Sequence, residues 1–550
     1  MFKSTSPKSE QSLFSGISQH LGNKKLNKLT DAKTWYNVFF QEITSQIRED
    51  IFQSLYSNNN GRPNASIRRL VAMIILKEGQ NWTDEQLYEN CHFNIVVMQA
   101  IGLSNVDEEV PVESTYYDFK SKLVQHHRET GENLFEILFR EITGDQIKKF
   151  NVNGRIIRMD SKLIQSNIKT GCQLHKVLET LQFYFRSQSK GWEKQVKKKS
   201  DRKFIKEIMS KPVSNHLYGM TKDEKSTWLR RLGFLIRKVL NIFQGEDSEP
   251  YNRLSRMYEE HYIDTEEKGN PPRPKEKEEM KADGIQSVHD PDAAYRSKGQ
   301  GNSRQQVSGY SANITETAKG DLRLITDVQV EKATQSDSSY LEVAAQKTTE
   351  LTDQPIEQVH TDGGYDSIEN RTRFADYIGQ EWHLAKCIGG KKRCEFKHKE
   401  DGTILILDPA TNSWVKAEMS RNGKYRIPTP GRTSKYRYFK KEQVKAGIEL
   451  AKVRPKEIDG GIRANMESTI HQVFHTLSAG KSKYRGLLKH KLFVTSRALW
   501  INCKRIKVQT GKKSIFESIF MQFELLRHHF CSNNLTLFFA TRDSNTNVIH

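Results

Sequence analysis

The chain has 550 residues, of which 36% are hydrophobic and 28% charged, and 87 Lys and Arg against 67 Asp and Glu give a formal net charge of +20. This length exceeds what one hydrophobic core usually serves, so we expect two or three folded units, and the composition excludes a disordered chain. The positive charge favours a nucleic-acid partner, although a charge run can also be only a solvated face.

Cysteine usage and hydropathy exclude two further classes of protein. The six cysteines lie far apart with no CxxC pair, which argues against a zinc ribbon or a disulfide framework and favours a reducing compartment. The N-terminus lacks the apolar core of a signal peptide, and the most apolar early run, Leu70–Leu76, is too short to cross a bilayer. We therefore expect a cytoplasmic protein without a membrane partner.

The first part of the chain is predicted to be helical. Residues 1–33 are polar and rich in Ser and Lys, which indicates a flexible arm, whereas apolar residues recur at helical spacing through 34–150. Thr83 followed by Gln86 predicts a capping box at the start of one helix, and Ser114 with Thr115 stands where another helix could start after Pro111. An all-helical N-terminal domain is expected.

A second domain, α/β in class, is predicted over 151–530. Its first strand is the alternating run RIIRMDSKLI, which carries Asp160 near its end. Charged helical patterns predict a helical insertion at about 165–285, and short alternating runs predict a β-rich insertion at about 388–450. The remaining residues, 531–550, are predicted to be a frayed tail.

The core of this second domain is predicted to continue between the two insertions. The runs GYSANITE and LRLITDVQVEK predict two strands separated by a KGD turn, and a helix is predicted over residues 340–351. The run QPIEQVHTDGGYD then predicts a buried strand that ends in a turn and carries Asp362.

Three acidic residues stand where carboxylates are costly unless they are used. They are Asp160 and Asp362 at predicted strands and Glu467 inside the amphipathic pattern GIRANMESTIHQVFH. If the strands are neighbours and the helix crosses them, the three carboxylates can share two Mg²⁺ ions, with Mn²⁺ as a substitute. Arg463 lies one helical turn before Glu467, where it could orient that carboxylate or contact a phosphate.

Several segments together resemble one known family. They are MDSKLI, DPDAAYRSKG followed by GYSANITE, HTDGGYDS, IRANMESTIHQVFHTLSAGKSKYRGL, and, nearer the N-terminus, RRLVAMIILKEGQNWTDEQLYENCHFN and ESTYYDFK. This set resembles the bacterial insertion-sequence transposases over most of residues 60–510. The resemblance implies an RNase H-like DDE catalytic domain built on a mixed sheet, preceded by an all-helical DNA-binding domain.

The resemblance also assigns the site residues. Asp160 matches the family's first acid, Asp362 its second and Glu467 its third, which makes them catalytic residues and metal ligands. Arg463 matches the Arg of the family's Tyr-Arg-Glu-Lys signature.

The signature is incomplete in this chain. Its Tyr would fall at Gly460 and its Lys at Phe474. Substitutes, and candidates for DNA contact, are the residues of the GKSKYRG run that follows the predicted helix: Lys481, Lys483, Tyr484 and Arg485.

The function implied is cleavage at transposon ends followed by strand transfer of the 3′-OH ends into target DNA. Double-stranded DNA is the implied partner, a homodimer bridging two ends is expected, and the protein would be associated with the nucleoid. Two alternatives remain open from the sequence: an RNase H-like nuclease or resolvase without strand transfer, and a catalytically silent DNA-binding transposon relic.

Other polar residues have simpler interpretations. Asp290 is interpreted as a turn residue, Tyr310 as a core residue, and His289, His360 and His471 as packed side chains rather than ligands. The basic run KQVKKKSDRKFIK is equally well a solvated helix face or a DNA contact.

Overall fold

The computed structural model describes residues 1–5, 22–57, 61–103, 108–188, 191–264, 272–299, 304–367, 369–371, 373, 381–385, 394–408, 410–429, 434–452, 456–457 and 461–512. The predicted tail at 531–550 lies outside these residues. They form two compact units: Met1–Val152 with Lys319–Leu324 and the described residues from Leu499 onward, and Asn153–Ala318 with Ile325–Ala498. In the described ranges no helix is long and apolar enough to cross a bilayer.

The first unit is largely helical, as predicted. Its helices are α1 (Asn23–Thr30), α2 (Trp35–Glu42), α3 (Ile67–Gln80), α4 (Asp84–Phe93), α5 (Ile95–Ile101), α6 (Glu113–Thr130) and α7 (Leu134–Phe150). Helix α1 falls within the stretch expected to be a flexible arm, and nearer the N-terminus the Thr5 hydroxyl donates to the Glu49 carboxylate at 2.7 Å.

The capping box of α4 is confirmed. The Thr83 hydroxyl accepts the backbone N–H of Gln86 at 3.1 Å, and the Gln86 side-chain oxygen accepts the N–H of Thr83 at 3.0 Å. Helix α6 begins at Glu113, one residue before Ser114, and no side chain caps it. The start of α6 therefore lies one residue before the predicted position.

The core of the first unit surrounds α3. This helix is buried along most of its length because every residue from Leu70 to Leu76 is apolar, and the Trp500 ring packs beside it. Trp500 belongs to helix α17 (residues 487–512), and its centroid lies 5.8 Å from that of Phe39. A Cβ atom at Gly79 would meet the Trp500 ring at 2.5 Å, so glycine is what allows α17 to approach.

A mixed seven-stranded sheet forms the centre of the second unit. Its strands are β1 (Ile156–Gln165), β4 (Ala294–Lys298), β5 (Gln305–Thr317), β6 (Ile325–Lys332), β7 (Gln358–Asp362), β8 (Glu381–Ala385) and β15 (Lys456–Glu457). They lie in the order β15-β8-β7-β1-β5-β4, with β6 also paired to β5. Strand β5 pairs antiparallel with both β1 and β6. Strand β7 pairs parallel with both β1 and β8.

Helices cover this sheet near β1. Helix α14 (Tyr340–Thr352) connects β6 to β7, and its Leu341 and Ala344 share a buried cluster with Ile157 and Met159 of β1. Helix α16 (Gly461–Phe474) packs against β1 and β7. Because side chains alternate along a strand, Arg158, which lies between Ile157 and Met159, faces away from α14.

The helical insertion follows β1. Its elements are α8 (Gln173–Ser187), α9 (Trp192–Gln195), α10 (Lys199–Met209), α11 (Val213–Leu217), α12 (Lys222–Ile242), α13 (Glu249–His261), β2 (Tyr262–Ile263) and β3 (Arg273–Pro274). Apolar side chains of α8, α10, α12 and α13 form one continuous core, so the insertion is a helical subdomain with its own interior.

The β-rich insertion consists of two small antiparallel sheets. Strands β9 (Phe396–His398), β10 (Ile404–Asp408) and β11 (Ser413–Lys416) form one, and β12 (Glu418–Met419), β13 (Tyr425–Pro428) and β14 (Tyr436–Phe439) form the other. Phe396, Ile406, Ile427 and Phe439 share a buried cluster with helix α15 (Lys441–Lys452). This cluster joins the two sheets.

Candidate active site

Two predicted acids lie on neighbouring parallel strands. Strand β1 pairs with β7 so that Arg158 is opposite His360, an offset of 202 residues. Asp160 and Asp362 each stand two residues beyond this last pair, on β1 and at the end of β7. Since residues two apart in a strand point to the same face, and adjacent strands lie about 4.8 Å apart, both carboxylates belong to one face of the sheet.

Local hydrogen bonds orient each of these carboxylates. The backbone N–H of Ser161 donates to Asp160 Oδ1 at 2.8 Å, and the N–H of Gly364 donates to Asp362 Oδ1 at 2.8 Å. Asp362 ends β7 and caps the 3₁₀ turn Gly363–Tyr365. The predicted strand-to-turn transition at HTDGGYD is therefore confirmed, and it keeps both side chains partly exposed.

A third aspartate, which the sequence did not indicate, lies next to this pair. Asp337 follows β6 and is 6% exposed, and its Oδ1 accepts the Ser161 hydroxyl at 2.9 Å. A Cβ atom at Gly364 would lie 3.0 Å both from Asp337 Oδ2 and from Asp362 Oδ1. Arg296 Nη1 lies 3.6 Å from the Asp337 carboxylate and offsets part of its charge.

Tyr365 lies close enough to all three aspartates for their charges to act on its phenol. Its side chain is fully buried and its hydroxyl donates to Asn313 Oδ1 at 2.5 Å. Burial raises the pKa of the Tyr365 phenol far above its usual value, and the negative charges of Asp160, Asp337 and Asp362 raise this pKa further. The phenol is therefore neutral at physiological pH and acts as a hydrogen-bond donor beneath a negatively charged edge of the sheet.

A buried ion pair fixes helix α16 on the sheet. Arg158 and Glu316 are 3% and 0% exposed in their side chains and lie 2.6 Å apart. Thr469 of α16 donates to the same carboxylate at 2.9 Å, and Arg158 Nη1 donates to the carbonyl of Ile462 at 2.8 Å. Removal of one partner from such a buried pair costs about 3–5 kcal/mol, so this network holds α16 firmly against β1 and β5.

Glu467 lies on the helix that this network holds. It is two residues before the buried Thr469 and directly after the buried Met466, and its own side chain is exposed. Arg463 lies in the same helix, and its side chain is outside the described part of the structure. Within the described part of the chain, no group of three or more His, Cys, Asp or Glu side chains is arranged to hold a metal ion.

Two histidines lie next to each other on the neighbouring strands β7 and β8. His360 of β7 lies opposite His383 of β8, and their rings stack with centroids 4.6 Å apart. His360 is 2% exposed. The packed state predicted for His360 is thus confirmed.

The predicted DNA-contacting segment lies at the end of β1. The backbone of Gln165 bonds to Gly480 and Ser482, and Tyr484 accepts the N–H of Asn167 at 3.0 Å. Lys481, Lys483 and Arg485 are exposed, and Tyr484 is half-buried. Gln165 lies five positions after Asp160 in β1, so this cationic segment begins roughly 16 Å along the strand from Asp160.

Asp290 has a larger structural role than a turn. It is completely buried, accepts hydrogen bonds from the Ser166 and Tyr310 hydroxyls, and also closes its turn through the N–H of Ala293. Tyr310 is fully buried, as predicted for a core residue. Asp290 therefore joins the segment after the helical insertion to the residue that follows β1 and to Tyr310 within β5.

The comparisons with known proteins identify a class. Residues 25–122 match the model of a family described as "Transposase domain (DUF772)". This match supports a transposase, an enzyme that interacts with DNA and cleaves it. No curated protein and no solved structure matches the chain.

Proposed function

We propose that the chain is a DDE transposase with an RNase H-like catalytic domain, which cleaves DNA at the ends of a mobile element and joins the 3′-OH ends to target DNA. The observation that supports this proposal is the parallel pairing of β1 with β7, the strands that carry Asp160 and Asp362, in a chain whose residues 25–122 match a transposase domain.

The strand order supports the fold assignment. Three antiparallel strands, β6, β5 and β1, are followed across the sheet by β7 and β8, both parallel to β1. Helix α14 makes the connection from β6 to β7. The first acid then lies on the central strand and the second on the next parallel strand, as the RNase H-like arrangement requires.

Carboxylates are the type of ligand that magnesium prefers. Mg²⁺ prefers oxygen ligands and is commonly held by one or two carboxylates together with substrate phosphates. Like charges about 5 Å apart repel by about 3 kcal/mol at an effective dielectric constant of 20, and a cation relieves this repulsion. In this proposal Asp160, Asp362 and Glu467 hold two such ions, which would supply activation of the attacking oxygen and stabilisation of the leaving oxygen.

The neighbouring residues have defined tasks in this proposal. The N–H groups of Ser161 and Gly364 orient the two aspartates. The Arg158–Glu316 pair positions the helix that bears Glu467. Arg463, one turn before Glu467, contacts a phosphate or the Glu467 carboxylate.

DNA approaches along the cationic segment at the end of β1. The exposed cations of this segment neutralise backbone phosphates, which is the main sequence-independent contribution to DNA affinity. Its members are Lys481, Lys483 and Arg485, with Tyr484 between them. Two copies of the chain, one for each element end, complete the proposed assembly.

A strand-transfer assay tests this function. Labelled fragments carrying the sequences that flank this gene are incubated with supercoiled plasmid and Mg²⁺, and both cleaved ends and joined products are measured. Asp362→Asn is expected to lower both by more than about a hundredfold, because a metal ligand is removed while the side-chain shape is kept. Removal of Mg²⁺ with EDTA should have the same effect.

The matched control is Asp353→Asn, which changes a carboxylate at the exposed end of α14 where the left-handed backbone suits Asn. This variant should retain full activity. Cleavage without joining would favour a nuclease or resolvase. DNA binding without cleavage would favour a silent relic and would contradict the proposal.

A further inference from the structure

Charge is unevenly distributed within the helical insertion. Residues 191–238 contain 14 Lys and Arg against five Asp and Glu, a net charge of +9, whereas residues 239–264 contain two against six, a net charge of −4. A helical surface that only contacts solvent does not need its positive and negative charges in separate halves. One side of the insertion is therefore a candidate surface for a polyanion.

A cleft lies within the basic half, between α10 and α12. Its volume is about 350 Å³, and it is lined by Ser200, Asp201, Phe204, Arg230, Arg231, Phe234 and Leu235. Arginine and phenylalanine thus share its walls.

Flat groups in the cleft suit stacking. The Arg231 guanidinium lies 3.5 Å above the ring of the buried Phe204, while Phe234 is 36% exposed with Lys238 Nζ at 4.5 Å from its ring centroid. An exposed aromatic ring flanked by cations costs solvation energy in the free protein. Aromatic rings and guanidinium planes are the surfaces on which unpaired bases stack.

The two arginines retain their charge for a partner. Arg230 and Arg231 are exposed, and among the residues with described side chains no carboxylate forms an ion pair with either. Two neighbouring cations of α12 are paired, Lys238 with Asp201 at 2.9 Å and Arg237 with Asp264 at 3.0 Å. The cleft therefore presents two guanidinium groups that are open to a partner.

We propose that this cleft binds an unpaired segment of DNA, with a base stacked on Phe234 and flanking phosphates on Arg230 and Arg231. A duplex satisfies the arginines but keeps its bases stacked on each other, whereas a single strand satisfies both the cations and the aromatic ring. The inference rests on the proposed function, because an enzyme that cuts and joins ends handles DNA whose strands are locally separated.

The test measures binding by the full-length protein in EDTA. Fluorescence anisotropy compares labelled oligo-deoxythymidine with a mixed-sequence duplex of equal length. Phe234→Ala is expected to weaken single-strand binding roughly tenfold, from the removal of one base-stacking surface, with duplex binding unchanged. Its matched control is Ile242→Ala, another exposed apolar residue of α12, 42% exposed and outside the cleft, which should change neither affinity.

A second pair of variants tests the cations. Arg230→Ala should lower the slope of log affinity against log salt for the single strand by about 0.7, the value for one phosphate contact. Lys222→Ala, which removes an exposed charge of α12 away from the cleft, should leave that slope unchanged.

Several results would overturn the proposal. The first is an equal single-strand affinity in Phe234→Ala and Ile242→Ala. The second is an equal weakening of duplex and single-strand binding in Phe234→Ala. The third is displacement of the oligonucleotide by polyglutamate at equal charge, which would indicate an acidic protein partner. Because EDTA removes catalysis from this assay, normal cleavage with no effect of Phe234 contradicts this inference alone. Phe234-dependent binding without any cleavage contradicts the proposed function alone.

Discussion

Gly364 lies beside two carboxylates of the candidate site. Its N–H donates to Asp362, and a Cβ atom built on it would lie 3.0 Å from an oxygen of Asp362 and 3.0 Å from an oxygen of Asp337. Its backbone is not left-handed, so the glycine is required by space rather than by conformation. A methyl group here would displace one carboxylate by a few tenths of an ångström.

Gly364→Ala should therefore lower the cleavage rate about tenfold while the thermal melting temperature stays unchanged, because small displacements of reacting groups are costly to catalysis. Rate and melting temperature are measured on the same preparation. Gly511→Ala is the matched control, since no atom lies within 4 Å of a Cβ built there. A wild-type rate in Gly364→Ala would mean that the two carboxylates take no part in the reaction.

At the scale of a single element, helix α13 ends at a buried histidine. His261 is 2% exposed, and burial lowers its pKa to about 4, with the nearby charges of Lys176 and Lys275 lowering it further. The folded state therefore favours the neutral imidazole. In the unfolded chain the imidazole has its ordinary pKa near 6.5.

Since the folded pKa lies below the unfolded one, the stabilisation is complete above about pH 6.5 and is lost as the pH falls from 6.5 towards 4. The whole loss amounts to about 3 kcal/mol. Thermal unfolding of the wild type and of His261→Gln at pH 7 and pH 4.5 measures it, and the variant should lose less. The exposed His398 provides the control His398→Gln, which should respond to acid as the wild type does. Identical acid responses in His261→Gln and the wild type would contradict this assignment.

Elements with a local signal were predictable from the sequence. Strand β1 and the turn after β7 follow from alternation and from the Asp-Gly-Gly run, and the capping box of α4 follows from residues three apart. These features depend on neighbours in the chain, so a pattern in the sequence determines them.

Contacts between distant segments were not predictable. Arg158 and Glu316 are 158 residues apart, and neither residue stands in a pattern that indicates a buried ion pair. Asp337 lies in a Ser-rich turn typical of any loop, yet folding brings it beside Asp362. Such pairs are set by strand register and by how helices pack on the sheet, which single-sequence periodicity does not encode.

At the scale of the whole molecule, positive charge is concentrated in separate places. The net charge of +20 includes the basic half of the helical insertion and the cationic segment that follows α16. The first surrounds a cleft with an exposed ring, whereas the second lies along the end of β1. We expect the cleft to take unpaired bases and the cationic segment to bind duplex phosphates.

Salt dependence distinguishes these roles. The triple variant Lys481→Ala, Lys483→Ala, Arg485→Ala should reduce the slope of log duplex affinity against log salt by roughly two to three units, about 0.9 for each phosphate that is no longer neutralised. Anisotropy titrations with a labelled duplex from low to moderate salt give this slope. The control triple Arg273→Ala, Lys277→Ala, Lys281→Ala removes the same charge from exposed positions near the acidic half of the helical insertion. If both triples reduce the slope equally, duplex binding reflects overall charge rather than contact at the end of β1, because only a local contact distinguishes two proteins of equal net charge.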